Sequence, residues 1–268
     1  MPSVSYNQIQ LLYKMPPKSK AKVANTRVAP AAKPQTVARP DWPALTPIFP
    51  ASDLECSSLL PTQILTIPRL FTSSLSAEYV AFLRSLPLTT TPGRPKRGDA
   101  VRVNDRYQID DPDFARHLWE QTALKELITT GEIDGESPDE RQRQDLFGGE
   151  ILGLNPNIRI YRYSEGQFFD QHYDDSNNLM FPKEDGSSVP AKTTWTLLLY
   201  LTTCGGGETV FYPDPPSRKA APPPPVEASP EVGLALLHRH GKECMVHEGR
   251  EVTQGEKWVI RSDLCVKR

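Results

Sequence analysis

YRYSEGQFFDQHYDD, residues 161–175, is the stretch from which the fold of this chain is read. Its first part closes the run IRIYRY (158–163), where β-branched and aromatic residues dominate, the composition of a strand. Ser164–Gly166 is a turn signal, and QFFDQHYD (167–174) reads as a second strand. Residues two apart on a strand share a face, so His172 and Asp174 would hold an imidazole and a carboxylate side by side, a pair able to grip a metal ion. Alone the pair is weak evidence. Five histidines and 33 acidic residues among 268 give about 0.6 such pairs by accident, and an isolated one is by default a satisfied surface pair.

Working outward, further strand-like runs follow: TTWTLLLYL (193–201), GETVFY (207–212), GLALLH (233–238), CMVH (244–247) and KWVIRSDLCV (257–266). Cys204–Gly206, His240–Lys242 and Thr253–Gly255 separate them as turns. Many short strands with regular turns indicate a sandwich or barrel. The Pro-rich stretch 213–230 is excluded from any central strand and reads as an exposed loop, with a ligand for a polyproline-binding module as the sharper alternative. Upstream, Leu65–Phe71 reads as a short strand, Ser73–Leu86 as a helix capped by Ser76 and ended by Pro87, Ala100–Ile109 as a strand, and Asp111–Ile128 as a second helix. Residues 129–149 read as a loop. The expected class is α+β, mainly β, divided into a disordered basic and Pro-rich tail (1–50), a helical support segment (51–150) and a β core (151–268).

Three features raise the weight of the His-x-Asp pair. His247 lies on another expected strand, and two histidines with one carboxylate form the facial triad that leaves open positions on iron(II). Lys257, ten residues after His247, can give a buried dicarboxylate a charge-assisted hydrogen bond. Tyr163, nine residues before His172, can donate a phenol hydrogen bond to the same molecule. Rivals are weaker. Asp175 points to the other face of an ideal strand, and His238 and His240 precede a strand, His240 within an RHGK turn. Arg261 shares the Lys257 face and either assists the co-substrate or pairs with Asp263; Trp258 reads as core. Gly205–Gly207 lacks the Gly-Lys-Ser/Thr ending of a phosphate loop and reads as a tight turn.

YRYSEGQFFDQHYDD (161–175), CGGGETVF (204–211) and HEGREVTQGEKWVIRSD (247–263) resemble, in order and spacing, the metal-binding segments of the prolyl 4-hydroxylase-like Fe(II)/2-oxoglutarate-dependent dioxygenases. The resemblance spans roughly 155–264. It implies a double-stranded β-helix, or jelly roll, with the metal at one open end. It implies His172, Asp174 and His247 as iron ligands, Lys257 as the 2-oxoglutarate anchor, Tyr163 as a further co-substrate contact, and O2 and ascorbate as the other small partners. The implied reaction hydroxylates an unactivated C–H bond and releases succinate and CO2. A peptidyl proline is the first substrate expectation and a free amino acid or other small molecule the second. That family places a strand along the substrate channel, so Asn104 or Arg106 would contact substrate, with a solvated edge strand as the alternative; residues 176–192, which follow the metal ligands, read either as a lid over substrate or as an ordinary surface loop. A metal-binding jelly-roll adaptor without catalysis is the alternative, and the complete ligand set argues against it.

Composition bounds the rest. A net charge of −2 points to no nucleic-acid partner, and no apolar run reaches the roughly 20 residues of a membrane span. Lys14, Lys18, Lys20, Lys22, Arg27, Lys33 and Arg39 stand unopposed before Asp41 and read as a solvated arm, a nuclear-targeting patch or an organellar presequence. The four cysteines form no CxxC pair, and with no secretory leader read they are expected as reduced thiols in an intracellular, cytoplasmic or nuclear protein.

Overall fold

The structure is a computed structural model describing residues 39–91, 100–215 and 217–268. Two antiparallel sheets build a jelly roll. The larger runs in the order Ser57–Leu60, Ile64–Ile67, Ala235–Arg239, Ser188–Tyr200, Glu256–Lys267, Asn157–Ser164, Asp105–Asp110, Thr89–Thr90, with Ile151–Leu154 and Asn178–Pro182 attached beside the path. The smaller runs Val226–Ala228, Thr209–Tyr212, Val246–Gly249, Phe168–His172, Arg102–Val103.

Strand alternation divides the large sheet into two faces of different character. Ile158 and Ile160, Trp195, Leu197 and Leu199, Ala235 and Leu237, and Trp258 and Ile260 face one way and form a single apolar cluster with the helices. The residues between them, Tyr161, Tyr163, Tyr200, Leu236 and Val259, face the small sheet and pack with Phe211 and Val252. The second cluster is smaller because polar residues share its face: Thr196, His238, Lys257, Arg261 and Asp263 alternate with these apolar positions.

The helices are α1 (Ser73–Leu83), α2 (Pro112–Glu120), α3 (Leu124–Thr129) and α4 (Glu140–Phe147). Helix α1 starts one turn before the expected cap: the Thr72 side chain accepts from Leu75 N, which places Ser76 inside the helix, buried. The expected helix over 111–128 breaks at Thr122, whose hydroxyl donates back to Leu118 O at 2.7 Å and accepts from Leu124 N at 3.2 Å, ending one helix and starting the next. Helix α4 lies in the expected loop 129–149. Asp139 and Gln142 form a reciprocal capping box, and Gly148 closes the helix at φ 85°.

Three boundaries also move. Residues 39–50 belong to the folded unit Arg39–Arg268 rather than to a tail: the Trp42 ring stacks 3.9 Å from Phe114, Trp42 Nε1 donates to Asp111, and Tyr79 donates to Pro43 O. The basic residues before Arg39 lie outside the described residues. The expected loop 176–192 is largely a hairpin, in which Asn178–Pro182 pairs with the start of Ser188–Tyr200. Within 213–230, Val226–Ala228 adds an edge strand to the small sheet, the place where a Pro-rich neighbourhood is tolerated. Among the described residues no helix is long and apolar enough to cross a membrane.

Candidate active site

One cavity between the sheets is lined by His172, Asp174, His247, Tyr163, Lys257 and Arg261, all six residues singled out from the sequence. Register explains the convergence. His172 ends Phe168–His172 and pairs directly with His247 on the neighbouring strand, so both imidazoles leave the small sheet together, their ring centroids 4.2 Å apart. Asp174 lies beyond the strand end rather than on it. Its backbone is held by Gly241 N donating to Asp174 O at 2.8 Å and by its own N–H donating to Cys244 Sγ. His172 Nε2 stands 3.9 Å from Asp174 Oδ1, and His247 Nε2 stands 3.7 Å from Asp174 Oδ2.

Backbone carbonyls fix the histidine tautomers. His172 Nδ1 donates to Asp170 O at 2.8 Å and His247 Nδ1 to Met245 O at 3.0 Å. Each ring therefore turns an Nε2 lone pair toward the carboxylate. Burial depresses both imidazoles, His172 to about 3, with His247 reinforcing the effect there. Both are neutral at ordinary pH, as metal ligation requires. Burial would raise Asp174, but Arg261 overrides it and the carboxyl lies well below its usual range. Asp174 Oδ2 accepts from Thr196 Oγ1 at 2.9 Å and pairs with Arg261 Nη2 at 2.9 Å, while Oδ1 faces His172. The donor set of two neutral imidazoles and one ionised carboxylate suits iron(II).

Lys257, Val259 and Arg261 follow one another on the inner face of Glu256–Lys267. Lys257 is 5% exposed, and its Nζ donates to Gly207 O at 2.6 Å. Burial lowers it to about 8. Nζ also donates to Thr209 Oγ1 at 3.4 Å, which leaves the third N–H of the ammonium for an anion in the cavity. Gly206 and Gly207 turn at φ 67° and 71°, and a Cβ on Gly206 would sit 2.3 Å from Glu251 O. The turn that aims the Gly207 carbonyl at Lys257 therefore needs glycine. Tyr163 pairs in register with Lys257, its ring 5.6 Å from Nζ. Arg261 is closer to Asp174 than to Asp263 Oδ1, which lies at 3.7 Å; Asp263 pairs instead with Arg159.

Other sequence candidates lie elsewhere. Asp175 is exposed. His240 is buried with both nitrogens on threonines, Nδ1 with Thr196 and Nε2 with Thr193. Trp258 is fully buried in the helix-side cluster. Asn104 is buried against Thr91, and neither it nor Arg106 lines this cavity. His238, a rival to His247 in the sequence, closes the expected strand run 233–238, and alternation with Leu236 turns it into this cavity; Thr196, which the sequence analysis does not single out, sits beside it on the adjoining strand. The pattern GLALLHR contained that signal.

Solved structures similar to this chain in fold include a Pseudomonas putida prolyl-4-hydroxylase (15% identity, 78% of this chain and 96% of that one, TM-score 0.49). Another is a Trichoplax adhaerens prolyl hydroxylase in complex with a hypoxia-inducible-factor peptide (18%, 77% and 84%, TM-score 0.48). A third is HygX from Streptomyces hygroscopicus with nickel and 2-oxoglutarate (17%, 76% and 84%, TM-score 0.47). No curated protein matches the chain. Residues 158–262 match the 2OG-Fe(II) oxygenase superfamily, a span that contains the three convergent donors and Lys257. Over that span, less than half of its length, the chain is similar to the 2OG-Fe(II) oxygenase superfamily.

Proposed function

We propose that this protein hydroxylates an unactivated C–H bond using iron(II) held by His172, Asp174 and His247, with 2-oxoglutarate anchored by Lys257. The observation that carries the reading is the convergence of three metal donors and a buried lysine on one cavity. Iron(II), when bound, supplies dioxygen activation coupled to decarboxylation of 2-oxoglutarate to succinate and CO2. The chain supplies geometry. Asp170 O and Met245 O hold the two rings in their ligating tautomers. Thr196 and Arg261 occupy Asp174 Oδ2 and leave Oδ1 as the free oxygen. Phe169, stacked 3.6 Å from His172, shields that ligand from water.

Lys257 and Tyr163 would hold a carboxylate of 2-oxoglutarate, and Arg261 would add a second cation to the same cavity. The first candidate substrate is a peptidyl proline, on the strength of the sequence resemblance; a free amino acid or other small molecule is the second. Ascorbate is the expected reductant. Calorimetric titration of 2-oxoglutarate into the iron-loaded protein without oxygen tests the site. Tight binding by wild type that weakens about a hundredfold in Lys257→Ala is expected, since a buried charge-assisted bond contributes roughly 2–3 kcal/mol. Equal affinity in the two proteins would remove Lys257 from the role.

A further inference from the structure

His172, His238 and His247 surround Asp174, yet the oxygenase reading uses only two of the three imidazoles. His238 is 1% exposed, and its Nδ1 donates to Arg239 O at 3.1 Å. That bond leaves Nε2 as a lone pair, 3.7 Å from Asp174 Oδ2, buried and with no hydrogen-bond partner. A buried acceptor facing a carboxylate is unfavourable unless a cation or a donor comes between. Phe211 lies against the ring at 5.1 Å and offers it no hydrogen bond.

Cys244 supplies the missing context. It is a free, half-buried thiol that ends the short 3-10 turn Gly241–Glu243, three residues before His247. Ligand atoms of His238, Cys244 and His247 all lie within 4.8 Å of one another. A thiolate with two imidazoles is a softer set than two imidazoles with a carboxylate, and it favours zinc or another borderline-soft cation over iron(II).

We propose that His238, Cys244 and His247 form a second metal-binding set, selective for Zn2+, which overlaps the oxygenase site through His247. Binding exchanges the Cys244 S–H bond for a sulfur–metal bond and releases the proton to solvent, with no change of oxidation state. His247 belongs to both sets, so a cation in the soft set takes a ligand from the oxygenase triad, and Zn2+ acts as an inhibitor with its own donors. The soft set stands without the oxygenase reading; only the inhibition rests on it.

The test uses the full chain, stripped of metal, and cobalt(II) as a spectroscopic probe. Sulfur ligation gives a near-ultraviolet sulfur-to-cobalt charge-transfer band that histidine and carboxylate ligands do not produce. Wild type should develop the band, Cys244→Ser should lack it, and Zn2+ should abolish it by displacing cobalt. His238→Gln should weaken Zn2+ binding about tenfold or more, and raise by a similar factor the Zn2+ concentration that halves iron-dependent turnover. His172→Ala, which removes a triad ligand only, should keep the band, so failure of the oxygenase reading is seen separately from failure of this one. Absence of the band in wild type, its persistence in Cys244→Ser, or unchanged Zn2+ affinity in His238→Gln would overturn the proposal.

Discussion

The two faces of the strand Glu256–Lys267 serve opposite purposes. Toward the helices it presents Trp258, Ile260 and Leu264, members of one apolar cluster with α1, α2 and α3. Toward the small sheet it presents Lys257, Arg261 and Asp263, three ionisable groups at most 11% exposed. Burying apolar surface stabilises the fold, whereas burying charge costs stability unless partners offset it. The outer face therefore holds the molecule together, and the inner face carries a destabilising arrangement whose return is chemistry. The same division runs across Asn157–Ser164 and Ser188–Tyr200.

Substitutions should separate the faces. On the inner face, His247→Ala should reduce 2-oxoglutarate-dependent turnover by at least about a thousandfold, roughly 4 kcal/mol in the barrier, while circular dichroism and melting temperature stay near wild type. A collapse of the fold instead would make His247 structural. On the outer face, Trp195→Ala empties a fully buried site against Phe147 and should cost about 3–5 kcal/mol in denaturant unfolding. A loss under 1 kcal/mol would place the stabilising core elsewhere.

Lys257 gives the comparison a sign. Its folded value of about 8 lies below the ordinary 10.5. Below pH 8 both folded and unfolded chains carry the proton, and the folded chain bears the full cost of the buried charge. Between 8 and 10.5 the unfolded chain binds more protons, so stability rises with pH until the cost is gone. Lys257→Met should thus stabilise the ligand-free protein at pH 7 by up to about 3 kcal/mol, less what the unpaired Gly207 carbonyl costs. That advantage should shrink as pH climbs through the same window. Unfolding curves of both proteins at pH 7 and pH 10 read this directly; a difference that does not change with pH would place Lys257 in a solvated setting. The smallest effect belongs to the helical layer: Asp139→Ala removes the α4 capping box and should cost about 1 kcal/mol by thermal melting, with turnover unaltered.

The same division explains what could be read from the sequence. Alternation made the inner strands legible, and the spacing of His172, Asp174, His247 and Lys257 marked the site because register fixes it. The helical layer was read less well. α4 follows from Asp139–Gln142 and Gly148, a local signal within a polar stretch that lacks an apolar stripe. The break at Thr122 depends on one hydroxyl choosing backbone partners. Arg39–Pro50 looked like a tail because its anchoring rests on single residues, Trp42 and Leu45, without any period. For His238 the strand pattern is local, but its place beside Asp174 depends on pairing with Ser188–Tyr200, a contact far off in sequence.

The most direct test is succinate formation from 2-oxoglutarate by the purified chain with iron(II), ascorbate and oxygen, run beside His247→Ala and Lys257→Ala in the presence of peptide and amino-acid pools. Oxygen-dependent succinate from wild type, none from His247→Ala, and activity recovered by Lys257→Ala only at high 2-oxoglutarate is the predicted result. Succinate at equal rates from all three proteins, or none from a wild type that also fails to bind 2-oxoglutarate when iron-loaded, would contradict the assignment of this cavity as an oxygenase centre.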